Sequence, residues 1–173
     1  MSYQPRRHRG LSLIEVLVAV LIFSIGLIGL AGLLVMSTQA NHGAFVRTQA
    51  TVLSQNLADR MRSNVVGLWQ GNYDGTYTAV TGAPACDSTA PCKPQDLATR
   101  DRIQWRQLLG QYLPNDGNLA ATVDCDPAVN VSAYARVRPP YNGTCTLNIT
   151  WTERSLGLTG SPTAQTFAWT FQP

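Results

Sequence analysis

The sequence predicts an α+β protein: one long amino-terminal helix, apolar at first and amphipathic later, with an antiparallel sheet packed on its second half. Three observations carry this. A run of 26 residues, Leu11 to Met36, holds one charge, Glu15, and two other polar side chains, Ser12 and Ser24. No proline falls between Pro5 and Pro84, and apolar residues recur at helical steps through Val46, Ala50, Leu53, Leu57, Met61 and Val65. Towards the carboxyl end apolar and polar residues alternate with the period of a strand.

Composition narrows the functional classes. Hydrophobic residues make up 45% of the 173 and charged residues only 13%, which excludes a charge-rich disordered chain and calls for a buried core. The net charge of +3 sits at Arg6, Arg7 and Arg9; the remainder carries 10 basic and 10 acidic side chains. A neutral body argues against nucleic acid held by bulk electrostatics. With histidine only at His8 and His42, it also argues against a histidine-built metal site or hydrolase triad.

As a helix, the apolar run would extend roughly 39 Å, enough for a bilayer core of roughly 30 Å. Arginines precede it and no basic residue follows until Arg47, so the amino end is expected in the cytoplasm and the rest translocated. A cleaved secretory signal would have a shorter apolar region and no internal glutamate. A plain anchor leaves Glu15 unexplained, since an ionisable group costs about 2.5–3.5 kcal/mol at mid-bilayer.

Arg7-His8-Arg9-Gly10 followed by Leu11-Ser12-Leu13-Ile14-Glu15-Val16-Leu17 resembles the class III signal of type IV prepilins. The resemblance implies cleavage by prepilin peptidase between Gly10 and Leu11, and methylation of Leu11 as the new amino terminus. The family commonly has phenylalanine at that position, where this chain has leucine. Glu15 becomes the fifth mature residue, which the family pairs with the amino terminus of a neighbouring subunit. Opposite charges attract far more strongly in apolar surroundings than in water, and one left unpaired there is costly. Such a pair can therefore set assembly register; the alternative is a glutamate that snorkels to the lipid interface.

The helix is expected to run from Leu11 to Asn64, roughly 80 Å. Its apolar half suits a membrane or filament core, and its amphipathic half suits the back of a head. Gly26, Gly29, Gly32 and Gly43 cost helix propensity in water but permit close helix approach in a membrane. Leu57-Ala58-Asp59-Arg60-Met61-Arg62-Ser63-Asn64 looks like the end of the long helix in the PilV family of minor pilins, and Ile149-Thr150-Trp151-Thr152-Glu153-Arg154 is similar to that family's head. Taken singly, Asp59, Arg60 and Arg62 read as a solvated helix face. The resemblance implies the pilin fold, with a leader at 1–10, a transmembrane and filament-core helix at 11–36, an amphipathic half at 37–64 and a globular head at 65–173.

In the head, Gly71 to Cys92 reads as loop with one short strand, Thr76 to Val80. Gln95 to Leu113 carries a helical stripe at Leu97, Trp105, Leu108 and Tyr112, stopped by Pro114 and the Asn115-Asp116-Gly117 turn. Trp105 reads as a core anchor. Cys145, Leu147, Ile149 and Trp151 alternate with Thr144, Thr146, Asn148, Thr150 and Thr152; Phe167, Trp169 and Phe171 repeat the pattern, and Ala133 to Arg138 is a further candidate strand. The expectation is an antiparallel meander with one face on the long helix.

Cys86, Cys92, Cys125 and Cys145 show no zinc-type spacing, and on the exported side of a membrane they are expected to be oxidised. Four cysteines allow three pairings. Sequential pairing, Cys86 with Cys92 and Cys125 with Cys145, closes two short loops and is the preferred one; buried thiols are the alternative. Asp116, Asp124 and Asp126 lack the spacing of a calcium loop. Asn130, Asn142 and Asn148 match the glycosylation pattern but read as turn and strand-face residues. Arg136 and Arg138, with Arg100, Arg102 and Arg106, form at most a small basic patch without aromatic interleaving, so no nucleic-acid partner is expected.

No catalytic constellation, metal site or cofactor motif is visible. The expected protein is a minor pilin, with prepilin peptidase, other minor pilins, the major pilin and inner-membrane lipid as partners. Its head is expected in the periplasm before assembly and on the pilus, at its tip, afterwards. Two alternatives stand beside this: a minor pseudopilin of a type II secretion system, and a membrane-anchored periplasmic binding protein without a filament role.

Overall fold

The computed structural model describes residues 10, 12–77, 79, 82–86, 91–126, 140–154 and 162–173. Its elements are α1 (Leu13–Ser63), α2 (Val65–Trp69), β1 (Gly75–Thr76), α3 (Pro94–Tyr112), β2 (Ala120–Asp126), β3 (Thr144–Arg154) and β4 (Pro162–Phe171). The chain divides into two compact units, Met1–His42 and Gly43–Pro173.

The first unit is the amino-terminal stretch of α1. Leucine, isoleucine, alanine and valine without proline favour the helix, and the few hydroxyls are absorbed by it: Ser24 Oγ donates to Val20 O at 2.7 Å and Thr38 Oγ1 to Val35 O at 2.8 Å. Every described side chain from Ser12 to His42 is exposed. Apolar groups therefore face outward on all sides of the helix, which is long and apolar enough to cross a membrane.

The second unit has its own core. From α1, Val46, Ala50, Leu53, Leu57 and Met61 point inward as expected from the sequence, joined by Ala58, whereas Val65, expected on the same stripe, opens α2 and is half-buried. They pack with Trp105 and Leu109 of α3, Ala121 and Val123 of β2, Leu147, Ile149 and Trp151 of β3, and Phe171 of β4. The four strands form an antiparallel sheet in the order β1-β2-β3-β4. Register partners include Val123↔Leu147 and Leu147↔Trp169, so apolar residues of neighbouring strands share the face turned to the helices. This is the expected α+β, pilin-like arrangement, a long helix packed against an antiparallel sheet.

Asn64 separates the first two helices: it caps α2, its Oδ1 accepting from Gly67 N at 3.2 Å. Gly71, at φ 69°, then turns the chain through a left-handed conformation that favours glycine. Pro94 opens α3 and Asp96 complements its amino-terminal dipole. Leu113, preceding Pro114, is extended and ends it.

Several local expectations need correction. The short strand is Gly75–Thr76 rather than Thr76 to Val80; Tyr77 still donates its N–H to Ala121 O at 2.8 Å, but its side chain turns into the core. Thr78 and Val80 lie outside the described residues, as do Ala133 to Arg138. The inward face of α3 is Ala98, Asp101, Trp105 and Leu109, whereas Tyr112 is 53% exposed. The segment holding Asp124 and Asp126 is strand β2, a strand not expected from the sequence. Arg60 is not on a solvated face: it pairs with Asp101 across to α3 at 3.0 Å.

Candidate processing and assembly site

The sequence-marked site lies at the amino end of α1. Gly10 is exposed, with nothing within 4 Å of where a side chain would start. Leu11 lies outside the described residues. Ser12 begins the helix, its carbonyl accepting from Glu15 N at 3.0 Å and Val16 N at 3.3 Å. Glu15 thus occupies the first turn, where the helix dipole favours a carboxylate. It is exposed and, among the described residues, no cation pairs with it. Along the helix it borders an exposed apolar surface formed by Val16, Ala19, Val20 and Phe23. An acid beside an uncovered apolar surface presents a charge and a packing surface together.

The cysteines lie in the second unit, in two disulfides. Cys86 bonds Cys92 and Cys125 bonds Cys145, with Cα atoms 5.1 and 4.0 Å apart. Cys125 and Cys145 are direct cross-strand partners on β2 and β3. Cys125 lies beyond the start of β1, where its N–H would lack a ladder partner, and Asp74 Oδ1 accepts it at 3.2 Å. Burial pushes the Asp74 carboxyl above its ordinary range, opposed by that N–H and reinforced by nearby Asp124.

Beside these is a polar cluster that sequence reasoning missed. Tyr73 Oη donates to Asp101 Oδ2 at 2.7 Å, Arg60 Nη1 to Asp101 Oδ1 at 3.0 Å, and Asn64 Nδ2 to Tyr73 Oη at 3.2 Å and Pro94 O at 2.8 Å. It joins α1, the turn after α2 and α3. Burial and then the bond to Asp101 raise the Tyr73 hydroxyl well above its usual range, and burial does the same to Tyr77. Tyr141, packed edge-on against Trp69 at 5.0 Å, is pushed up to about 12, chiefly by burial. The signal that could have exposed the cluster is Asp101 itself, an acid four residues before Trp105 on one helical face.

The cations of α3 are engaged with backbone. Arg100 donates to Cys86 O, Arg102 to Asn72 O and Thr76 O while lying 4.7 Å over the Tyr77 ring, and Arg106, buried, to Leu119 O at 2.8 Å. Burial lowers the Arg106 guanidinium below its usual range. The helix offers no free arginine row.

Residues 5–31 match the prokaryotic N-terminal methylation motif, the signal of type IV pilin-like prepilins. No curated protein and no solved structure matches the chain significantly. The motif points to a structural pilus or pseudopilus component. It supports a type IV pilin-like or pseudopilin protein, processed by prepilin peptidase and assembling with other pilins. Motif and apolar helix together fit membrane anchoring before assembly.

Proposed function

We propose that the chain is a minor pilin of a type IV pilus, cut between Gly10 and Leu11, methylated at Leu11, and assembled with other minor pilins and the major pilin to prime or cap the filament. The observation that carries this reading is the outward-facing apolar stretch of α1 from Leu13 to Met36, with Glu15 in its first turn. Such a surface is stable only in lipid or against other apolar helices, and Glu15 asks for a cation there. The amino terminus freed by cleavage beside Glu15 on a neighbouring subunit supplies one. The string Leu57 to Asn64 and the head at 65–173 favour a PilV-like minor pilin. The head faces the periplasm before assembly and sits at the pilus tip afterwards.

The test is mass spectrometry of the amino-terminal peptide from native membranes and sheared pili. A peptide beginning at a methylated Leu11, in filaments that also contain the major pilin, is expected. A chain beginning at Met1 in cells with active prepilin peptidase would overturn the reading. Recovery with secretion pseudopilins instead would move the chain to a type II secretion pseudopilus.

A further inference from the structure

The described sheet ends at β4: among the described residues no strand pairs with its far side. The backbone groups facing that edge follow from β2. Tyr77 N donates to Ala121 O, and Cys125 N donates to the Asp74 carboxylate, so odd-numbered residues of β2 turn their backbone groups away from β3. Cys125↔Cys145 is then a non-hydrogen-bonded pair, and Cys145 turns its groups to β4. Its partner Phe171, and likewise Trp169, Phe167 and Gln165, bond back to β3. Ala164, Thr166, Ala168 and Thr170 therefore direct their N–H and C=O groups outward.

Edge strands are normally protected by a charge, a proline or a bulge. β4 is 10 residues long, has Pro162 only at its first position, and carries no charged side chain. Its centre, Thr166-Phe167-Ala168-Trp169-Thr170, reads nearly alike in both directions. Thr166, Ala168 and Thr170 are exposed on the outer face of the sheet, while Phe167 and Trp169 are half-buried at the margin of the core.

We infer that β4 is a homotypic docking edge, on which a second copy of this chain adds its own β4 antiparallel about a two-fold axis through Ala168. That register sets Thr166 opposite Thr170 of the second copy. It repeats the hydroxyl pairs already present inside the sheet, Thr146 with Thr170 at 3.2 Å and Thr150 with Thr166 at 3.5 Å. On the core face it sets Phe167 opposite Trp169 of the second copy, extending the stack that Trp169 makes with Phe171 at 4.4 Å. The outward groups of Thr166, Ala168 and Thr170 supply roughly six backbone hydrogen bonds across the junction. No like charges meet, and the two-fold closes the assembly at two copies. A two-fold that continues a sheet stands perpendicular to it, so the helical segments on the two sheets run antiparallel. This suits heads carried by separate assemblies, and the inference does not depend on which filament the chain serves.

The experiment is sedimentation of the full chain in detergent over a range of protein concentrations, with A168C, A168K and T166K beside it. A concentration-dependent dimer is expected for the native chain, and a covalent dimer for A168C on mild oxidation. Both lysine variants are expected to weaken association at least tenfold with the thermal unfolding of the head unchanged; T166K serves where A168K misfolds. A native monomer at all concentrations, a dimer that both lysine variants leave intact, or open-ended oligomers would each overturn the proposal.

Discussion

The Tyr73 hydroxyl donates to Asp101 at 2.7 Å while Arg60 holds the other carboxylate oxygen at 3.0 Å. One buried acid thus ties the end of α1 and the turn after α2 to the middle of α3, and removing it takes a partner from both Tyr73 and Arg60 at once. Asp101→Ala is expected to destabilise the head by about 2–4 kcal/mol, and Tyr73→Phe by about 1–2 kcal/mol, since hydrogen bonds to charged groups contribute about 1.5–3 kcal/mol each. Urea unfolding of the full chain in detergent, followed by tryptophan fluorescence, measures both; equal losses would contradict the shared-acid arrangement.

Gly67 is predicted to tolerate no side chain. A Cβ there would collide with the Asn64 amide and come within 2.9 Å of the Pro94 carbonyl oxygen. Gly67→Ala should therefore break the Asn64 cap and its bond to Pro94 together, costing about 2–3 kcal/mol against the gain alanine normally brings to a helix. Thermal unfolding followed by circular dichroism is the readout, with a raised midpoint as the contrary result.

Alkaline pH should unfold the head through its tyrosines. Tyr73, Tyr77 and Tyr141 are all raised above the ordinary value of 10.0, Tyr141 to about 12. A raised folded-state value means that the unfolded chain loses its proton first. The stability from keeping these hydroxyls neutral is full below about pH 10 and is lost as pH rises towards the folded values. Absorbance at phenolate wavelengths should show these three ionising only together with unfolding, and reversible ionisation of the intact fold near pH 10 would contradict the burial described.

Glu15→Ala tests the assembly role apart from processing. Cleavage and methylation should continue, because the proposed cut falls after Gly10, outside the substituted position. Recovery of the chain in sheared filaments should fall on the order of a hundredfold, matching about 3 kcal/mol for a buried pair broken by loss of one partner. Wild-type piliation with normal partner recovery would remove the role proposed for this residue.

The spine is legible in the sequence because its signal is periodic and long: Val46, Ala50, Leu53, Leu57 and Met61 lie on one face at steps of three and four, and all are buried. The strands β3 and β4 are legible for the same reason with a period of two. β2 is not, because Ala120, Ala121, Asp124 and Asp126 are poor strand formers, and its place depends on β3 to one side. α2 is too short at 5 residues to carry a period. The inner face of α3 is misjudged by hydropathy because Asp101, buried among Arg60 and Tyr73, occupies a position that an apolar stripe would claim. The Gly10–Glu15 spacing is readable at once because it is a pattern in chain order alone; the Asp101 cluster exists only after three segments have met.

The disulfide between Cys125 and Cys145 joins residues that face each other across β2 and β3. A slip of one residue would turn every side chain of β3 over, exchanging Leu147, Ile149 and Trp151 for the threonine face. It would also carry Cys145 to the far side, out of reach of Cys125. In this fold the bond closes across the proper alignment, and once closed it denies the strands any other. It acts as a lock on correct pairing: a head with this bond closed is one whose two faces can no longer be exchanged.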